Sequence, residues 1–110
     1  MSAPPADFER QSGWVRTALQ NAFHRALTAP SLEQGLVDTV MAGGDTDTNG
    51  AIAGALLRAV HGRDAVPAAW RSAVLTARAL PGTPRPRPQC LWPVDCDDLA
   101  ERLLGGPDPR

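Results

Sequence analysis

The chain has no tyrosine, and its aromatic residues are confined to Trp14, Trp70, Trp92, Phe8 and Phe23. A β-sandwich draws on aromatic and β-branched side chains for its strands, so this scarcity, set beside abundant alanine, favours closely packed helices. Cysteine is nearly absent as well. Cys90 and Cys96 are too few for a disulfide framework and match no zinc spacing; they are expected to be thiols in a reducing cytoplasm. No apolar run approaches the roughly 18 residues that span a bilayer. The first ten residues carry neither a basic start nor an apolar core, so no secretory signal is expected. With 11 basic and 12 acidic residues the net charge is −1, and a nucleic-acid binder would show a basic stripe. A soluble cytoplasmic protein with neither nucleic-acid nor membrane partners is therefore expected. At 110 residues it is one domain or part of one.

Residues 1–12, with Pro4 and Pro5 among polar neighbours, read as a flexible N-terminus. From Trp14 onward Val15, Ala18, Leu19, Ala22, Phe23, Ala26 and Leu27 recur at helical spacing and form one apolar stripe. Pro30 ends this helix, and Ser31 is placed to cap a second, whose inner face is Leu32, Leu36, Val37, Val40 and Met41. Gly43-Gly44 closes it. A third helix is predicted from Thr46 or Thr48 to His61, with Gly62 as its stop. Its interior, Ala51 to Leu57, has no polar face, so it calls for neighbours on every side. Gly50 and Gly54, one turn apart, would admit such neighbours close to its backbone. The chain offers only two or three substantial helices to surround it, and part of its surroundings is expected to lie outside these residues.

Pro67 suits the first turn of a fourth helix carrying Trp70, Ala73, Val74 and Ala77, which completes a helical core over residues 13–80. Residues 81–110 divide into a connector and a short helix. Pro81-Gly82-Thr83-Pro84-Arg85-Pro86-Arg87-Pro88 is predicted to be extended and polyproline-like, as is Leu91 to Val94. Asp95 or Asp97 can cap a last helix, Asp98 to Leu104, that stops at Gly105-Gly106.

The densest chemistry lies in Gly43-Gly44-Asp45-Thr46-Asp47-Thr48-Asn49-Gly50. Two carboxylates, two hydroxyls and a carboxamide within five residues suit a hard cation such as Mg²⁺, Mn²⁺ or Ca²⁺. A plain helix start accounts for one Asp, since acidic caps and first-turn carboxylates gain from the helix dipole. It does not call for two carboxylates between threonines. A calcium loop fits Asp45, Asp47, Asn49 and Gly50 but places Leu56 where a bidentate Glu is required. A Mg²⁺ or Mn²⁺ site using Asp45, Asp47 and Thr48 remains, and these three fill only part of an octahedral shell. Asp97-Asp98 and Asp38 are the other carboxylates considered; the first reads as a helix cap and the second as solvent-facing. His61 is placed by the helix dipole and His24 is solvated. Trp14 and Trp70 read as packing residues.

The segment Gly43 to Leu57, followed by His61-Gly62 and Val66-Pro67-Ala68-Ala69-Trp70, resembles the C-terminal signature of the ADP-ribosylglycohydrolases, enzymes similar to dinitrogenase reductase-activating glycohydrolase. The likeness extends back to Gly13-Trp14-Val15, Ala18-Leu19 and Ser31-Leu32-Glu33 and forward to Trp92-Pro93-Val94-Asp95, covering about residues 13–104. It implies an all-α helical bundle, the C-terminal part of that fold. It also implies a binuclear Mg²⁺ or Mn²⁺ centre that cleaves the N- or O-glycosidic bond between ADP-ribose and a protein side chain or small acceptor. On this resemblance Asp45, Asp47 and Thr48 correspond to the C-terminal metal ligands. Members of the family are more than twice as long, and an N-terminal half supplies the remaining ligands from a Thr-Asp-Asp run that this chain lacks. Met1 is thus expected to begin a fragment, a decayed remnant or one half of a split protein, inactive by itself and paired with a missing N-terminal half. No catalytic residue is assigned. The contrasting expectation is a non-catalytic helical remnant or interaction module.

Overall fold

A computed structural model describes residues 13–105; the N-terminal segment read as flexible, residues 1–12, and the stop at Gly106 lie outside them. The described residues form five α-helices and no strand: α1 (Val15–Thr28), α2 (Leu32–Met41), α3 (Thr46–His61), α4 (Ala68–Leu75) and α5 (Cys96–Leu104). Short 3₁₀ turns cover Arg63–Ala65, Gln89–Leu91 and Pro93–Asp95. The all-α expectation holds. Two compact units divide the chain, one ending at Pro67 and the other starting at Ala68, so α4 groups with the C-terminal residues.

The helix boundaries follow from local chemistry. Ser31 caps α2 by accepting a hydrogen bond from the Gln34 amide at 3.1 Å, which satisfies one of the free amides of the first turn. Pro30 bars α1 from continuing. Gly62 ends α3 at φ +88, a left-handed conformation that costs glycine nothing.

In the first unit α3 packs against both α1 and α2, while those two touch each other far less. Ala53 and Leu57 of α3 are wholly buried, together with Leu32 of α2 and Ala18 and Ala22 of α1. The closest approach runs through Gly35 rather than through Gly50 or Gly54. A Cβ on Gly35 would stand 2.9 Å from the Ala29 Cβ and from both Leu57 methyls, whereas one on Gly54 would meet Leu36 at an ordinary 3.5 Å.

One face is turned differently from the sequence pattern. The stripe on α1 was expected to point inward, yet Val15, Leu19, Phe23 and Leu27 are exposed, and Thr17 and Asn21 are buried in their place. Two features explain the rotation. Ala18 and Ala22 are small enough for α3 to approach, and the Asn21 carboxamide donates to the Thr39 hydroxyl at 3.1 Å across to α2. Thr39 in turn donates to the Gly35 carbonyl at 2.9 Å, so the buried polar pair is hydrogen-bonded and its burial is not penalised. Val37, Val40 and Met41 of α2 also face outward, as do Ala51, Ile52, Ala55 and Val60 of α3. The surround that α3 calls for is therefore present on one side only among the described residues.

The second unit has no fully buried residue among those described. The proline-rich stretch is not extended. A turn at Leu80 to Thr83, with Gly82 at φ +95, folds it back so that the Arg87 amide donates to the Ala79 carbonyl at 2.9 Å. The Trp92 indole N–H holds the same bend by donating to the Arg87 carbonyl at 3.1 Å, with Arg78 over its ring. Of Leu91 to Val94, expected to be extended, only Trp92 is so; Leu91 ends one 3₁₀ turn, and Pro93 and Val94 lie in a second, at whose start Pro93 pre-sets helical φ. Both cysteines are free and exposed.

Opposite outcomes are expected at two helical glycines. Gly54→Ala gains helix propensity at no steric cost and raises stability by about 0.5–1 kcal/mol. Gly35→Ala sets a Cβ 2.9 Å from the Ala29 methyl and from the wholly buried Leu57, so that packing must shift, and lowers stability by about 1–2 kcal/mol net. Urea denaturation of the full chain, followed by helical circular dichroism, measures both.

Candidate metal centre

The acidic run lies in the turn between α2 and α3 and in the first turn of α3. Gly43 and Gly44 both take left-handed backbone, φ +81 and +70, a pair of conformations that residues with a Cβ enter at a cost. They reverse the chain within two residues. The Thr46 amide then donates to the Gly44 carbonyl at 3.0 Å, and Asp45 sits between them at φ −77, ψ 74, the geometry of an inverse γ-turn. Asp45 is thereby delivered as the N-cap of α3 with its carboxylate beside the first turn.

Both carboxylates converge on one donor. The Thr48 amide is 2.9 Å from Asp47 Oδ1 and 3.4 Å from Asp45 Oδ1. The Asp47 carboxyl is held below the ordinary aspartate value, first by its hydrogen bond with the Asp45 side chain and then by the Thr48 amide and its own amide. Asp47 and Thr48 are exposed, and Asp45 is half-buried. The three predicted ligands therefore occupy one turn, present hard oxygen donors and face solvent that can supply further oxygens. This donor set suits one side of a Mg²⁺ or Mn²⁺ shell. No group of three or more His, Cys, Asp and Glu side chains able to hold a metal occurs among the described residues.

The calcium-loop alternative is closed by the backbone. A loop beginning at Asp45 would stay open through residue 56, but α3 is continuous from Thr46 to His61, so its later positions cannot wrap an ion.

The carboxylates Asp38 and Asp97 have structural partners. Asp38, expected to face solvent, pairs with Arg25 at 3.3 Å and accepts from Gln34 at 2.7 Å, which ties α1 to α2. Its backbone carbonyl also accepts from Arg25. Asp97 pairs with Arg71 in the second unit. His61 is half-buried at the C-terminal end of α3, its Nε2 buried without a hydrogen-bond partner. Trp14 is not a core residue; it is about half exposed, with the Arg16 guanidinium over its ring.

One residue of the run does something the pattern did not indicate. Asn49, grouped with the oxygen ligands by composition, turns inward and is 1% exposed. Its carboxamide donates to the Asp45 carbonyl at 2.8 Å, alongside the helical bond from its own amide at 3.0 Å. The spacing of four from Asp45 on a helix was the available signal, since i and i+4 lie on one face.

The depressed Asp47 carboxyl makes a pH prediction. Its folded pKa lies below the ordinary 3.8, so its stabilising contribution is complete above that value and fades as pH falls through the lower folded one. A ¹³C-carboxyl titration of the full chain places the Asp47 midpoint below 3.8, and Ala substitution of Asp45 moves it upward.

With the site's geometry described, the relationship to known proteins is informative. The family model of the ADP-ribosylglycohydrolases matches residues 2–108. The ADP-ribosyl-[dinitrogen reductase] glycohydrolase of Rhodospirillum rubrum is 35% identical over 63 residues, 57% of this chain and 21% of that protein. The matched segment thus spans about a fifth of this relative's length. No solved structure matches. The match over nearly all its residues shows that this chain belongs to the ADP-ribosylglycohydrolase family.

Proposed function

We propose that this chain carries the C-terminal metal-binding side of an ADP-ribosylglycohydrolase-like hydrolase, which removes ADP-ribose from a modified protein side chain or small acceptor. The observation that carries this reading is the convergence of the Asp45 and Asp47 carboxylates on the Thr48 amide at the head of α3. Asp45, Asp47 and Thr48 would hold a Mg²⁺ or Mn²⁺ ion, one of a binuclear pair. Such an ion, when bound, supplies charge stabilisation and orients hydroxyl groups of a sugar.

The chain's own contribution is positional. Gly43 and Gly44 set the reversal, α3 fixes the spacing of the three donors, and the positive end of its dipole favours the ionised carboxylates. The low-lying Asp47 carboxyl stays anionic throughout the neutral range, so a cation need not displace a proton there. Three donors leave half of an octahedral shell to water or to ligands from other polypeptide. In the proposed reading the outward Val15, Leu19, Phe23 and Leu27 stripe receives the rest of a glycohydrolase domain, and catalysis requires that completion.

The same stripe is the observation that favours a second reading, a non-catalytic helical module that associates through its apolar surface. Metal binding separates the two. Titration of the full chain with Mn²⁺, followed by the loss of the free-ion paramagnetic resonance signal, is expected to show saturable binding. Asp45→Ala and Asp47→Ala each weaken it by about tenfold or more, equivalent to about 1.4 kcal/mol, and Asp97→Ala leaves it unchanged. Absence of binding at millimolar Mn²⁺, or equal loss in Asp97→Ala, supports the module instead.

A further inference from the structure

We infer that Asn49 is the positioning residue of the acidic turn: its buried carboxamide locks the Asp45 peptide and so holds Asp45, Asp47 and Thr48 in the arrangement that receives a cation. The inference rests on the metal reading above and extends it to a residue that is not itself a ligand. Its basis is a hydrogen bond that the helix does not need. The Asp45 carbonyl already accepts the i+4 amide of Asn49 at 3.0 Å, which completes the first helical bond of α3. The Asn49 Nδ2 adds a second donor to the same oxygen at 2.8 Å. Two donors from one residue fix the plane of the Asp45–Thr46 peptide, and with it the direction in which the N-cap side chain leaves the chain.

Burial makes this bond persistent. Asn49 is 1% exposed, so its carboxamide has no bulk water to turn to, and an amide there is costly unless hydrogen-bonded. Its place in the core is consistent with the role. The Asn21–Thr39 and Arg25–Asp38 pairs run α1 against α2, and the approach of Gly35 to Leu57 and of Gly54 to Leu36 runs α2 against α3, so Thr17 near the start of α1, Thr39 near the end of α2 and Asn49 near the start of α3 fall toward one end of the three-helix unit, with Asn21 at the middle of α1. The acidic turn lies at that end. The apolar contacts of Leu32, Gly35 and Leu57 lie toward the other. Of the four buried polar residues of the described core, Asn49 is bonded to the turn itself. The cap bond from the Asp45 side chain to the Thr48 amide is long, 3.4 Å, and so one of the weaker restraints on Asp45. The carboxamide supplies the stronger one.

A pair of isosteric substitutions tests this. Threonine in a helix of this protein donates its hydroxyl to the carbonyl four residues back, as Thr28 and Thr39 do at 2.8 and 2.9 Å. Asn49→Thr therefore restores a donor to the Asp45 carbonyl, while Asn49→Val has the same shape and none. Two readouts are taken on the full chain. Without metal, amide hydrogen exchange at Thr48 is expected to rise about tenfold in Asn49→Val relative to Asn49→Thr, with exchange at Leu57 unchanged. With metal, Mn²⁺ affinity is expected to fall about tenfold in Asn49→Val and to be largely retained in Asn49→Thr, in line with the roughly 10–100-fold effects of groups that orient ligands. Equal Thr48 exchange in the two variants overturns the inference, whatever the metal does. Equal Mn²⁺ affinity in the two, with the wild-type chain binding, overturns it as well. A wild-type chain that binds no Mn²⁺ while Thr48 exchange still separates the variants overturns the metal reading and leaves Asn49 as the anchor of the turn. Where Asn49→Val alone fails to fold, Asn49→Ser takes the place of the donor variant and Asn49→Ala that of the donorless one, with the same two readouts.

Discussion

A helix without a polar side has to be covered, and the arrangement of residues 13–67 answers to that requirement. From Ala51 to Leu57 α3 offers nothing that water can hydrogen-bond, so its stability comes from contact rather than from solvation. The chain meets the demand with α1 and α2, which lie against α3 more than against each other. Small residues make it possible. Gly35, Ala18 and Ala22 carry too little volume to hold the helices apart, and Ala53 and Leu57 lose all their exposure between them. The opposite side of α3 keeps Ala51, Ile52 and Ala55 in solvent.

That packing also divides the core by chemistry. Leu32, Gly35 and Leu57 meet toward one end; Thr17, Thr39 and Asn49 are buried toward the other, with Asn21 at mid-helix and Ala18, Ala22 and Ala53 among them. The Asn21 amide and the Thr39 hydroxyl are tolerated there because they are paired, and pairing makes them directional in a way that apolar contacts are not. The Asn21–Thr39 bond sets the rotation of α1 against α2. The bond from Asn49 to the Asp45 carbonyl sets the turn from which the carboxylates project. The polar end of the core is thus where a small helical unit gains the rigidity that a ligand site requires, and the acidic turn sits over it.

Much of this was legible beforehand, for local reasons. Helix ends depend on residues within a few positions, so Pro30, Ser31, Gly62 and the Gly43-Gly44 pair marked the boundaries. Leu56 in place of a glutamate argued against a calcium loop, and the unbroken helix bears this out. The three candidate ligands shared a turn because they are near neighbours in sequence. The misreadings involve distant partners. The apolar stripe of α1 pointed inward by its periodicity, but rotation of a helix is decided by what it meets, and Thr39 lies outside α1 altogether. The proline-rich stretch looked extended because each proline favours that backbone. The bend came from Gly82 and from the Trp92 indole ten residues away.

By itself, then, the sequence determined the helical class, the positions of the helices, the family signature and the cluster of hard oxygen donors, because these rest on composition, short-range propensity and the order of neighbouring residues. Only the tertiary structure decided which face of α1 is buried and which donors of the run point outward. It also decided that Gly35 rather than Gly50 or Gly54 sets the helix spacing. The physical reason is shared by all three. Each depends on a side chain brought from another helix or turned toward the core, and an amide such as that of Asn49 is a ligand or an anchor according to whether its surroundings leave it in water.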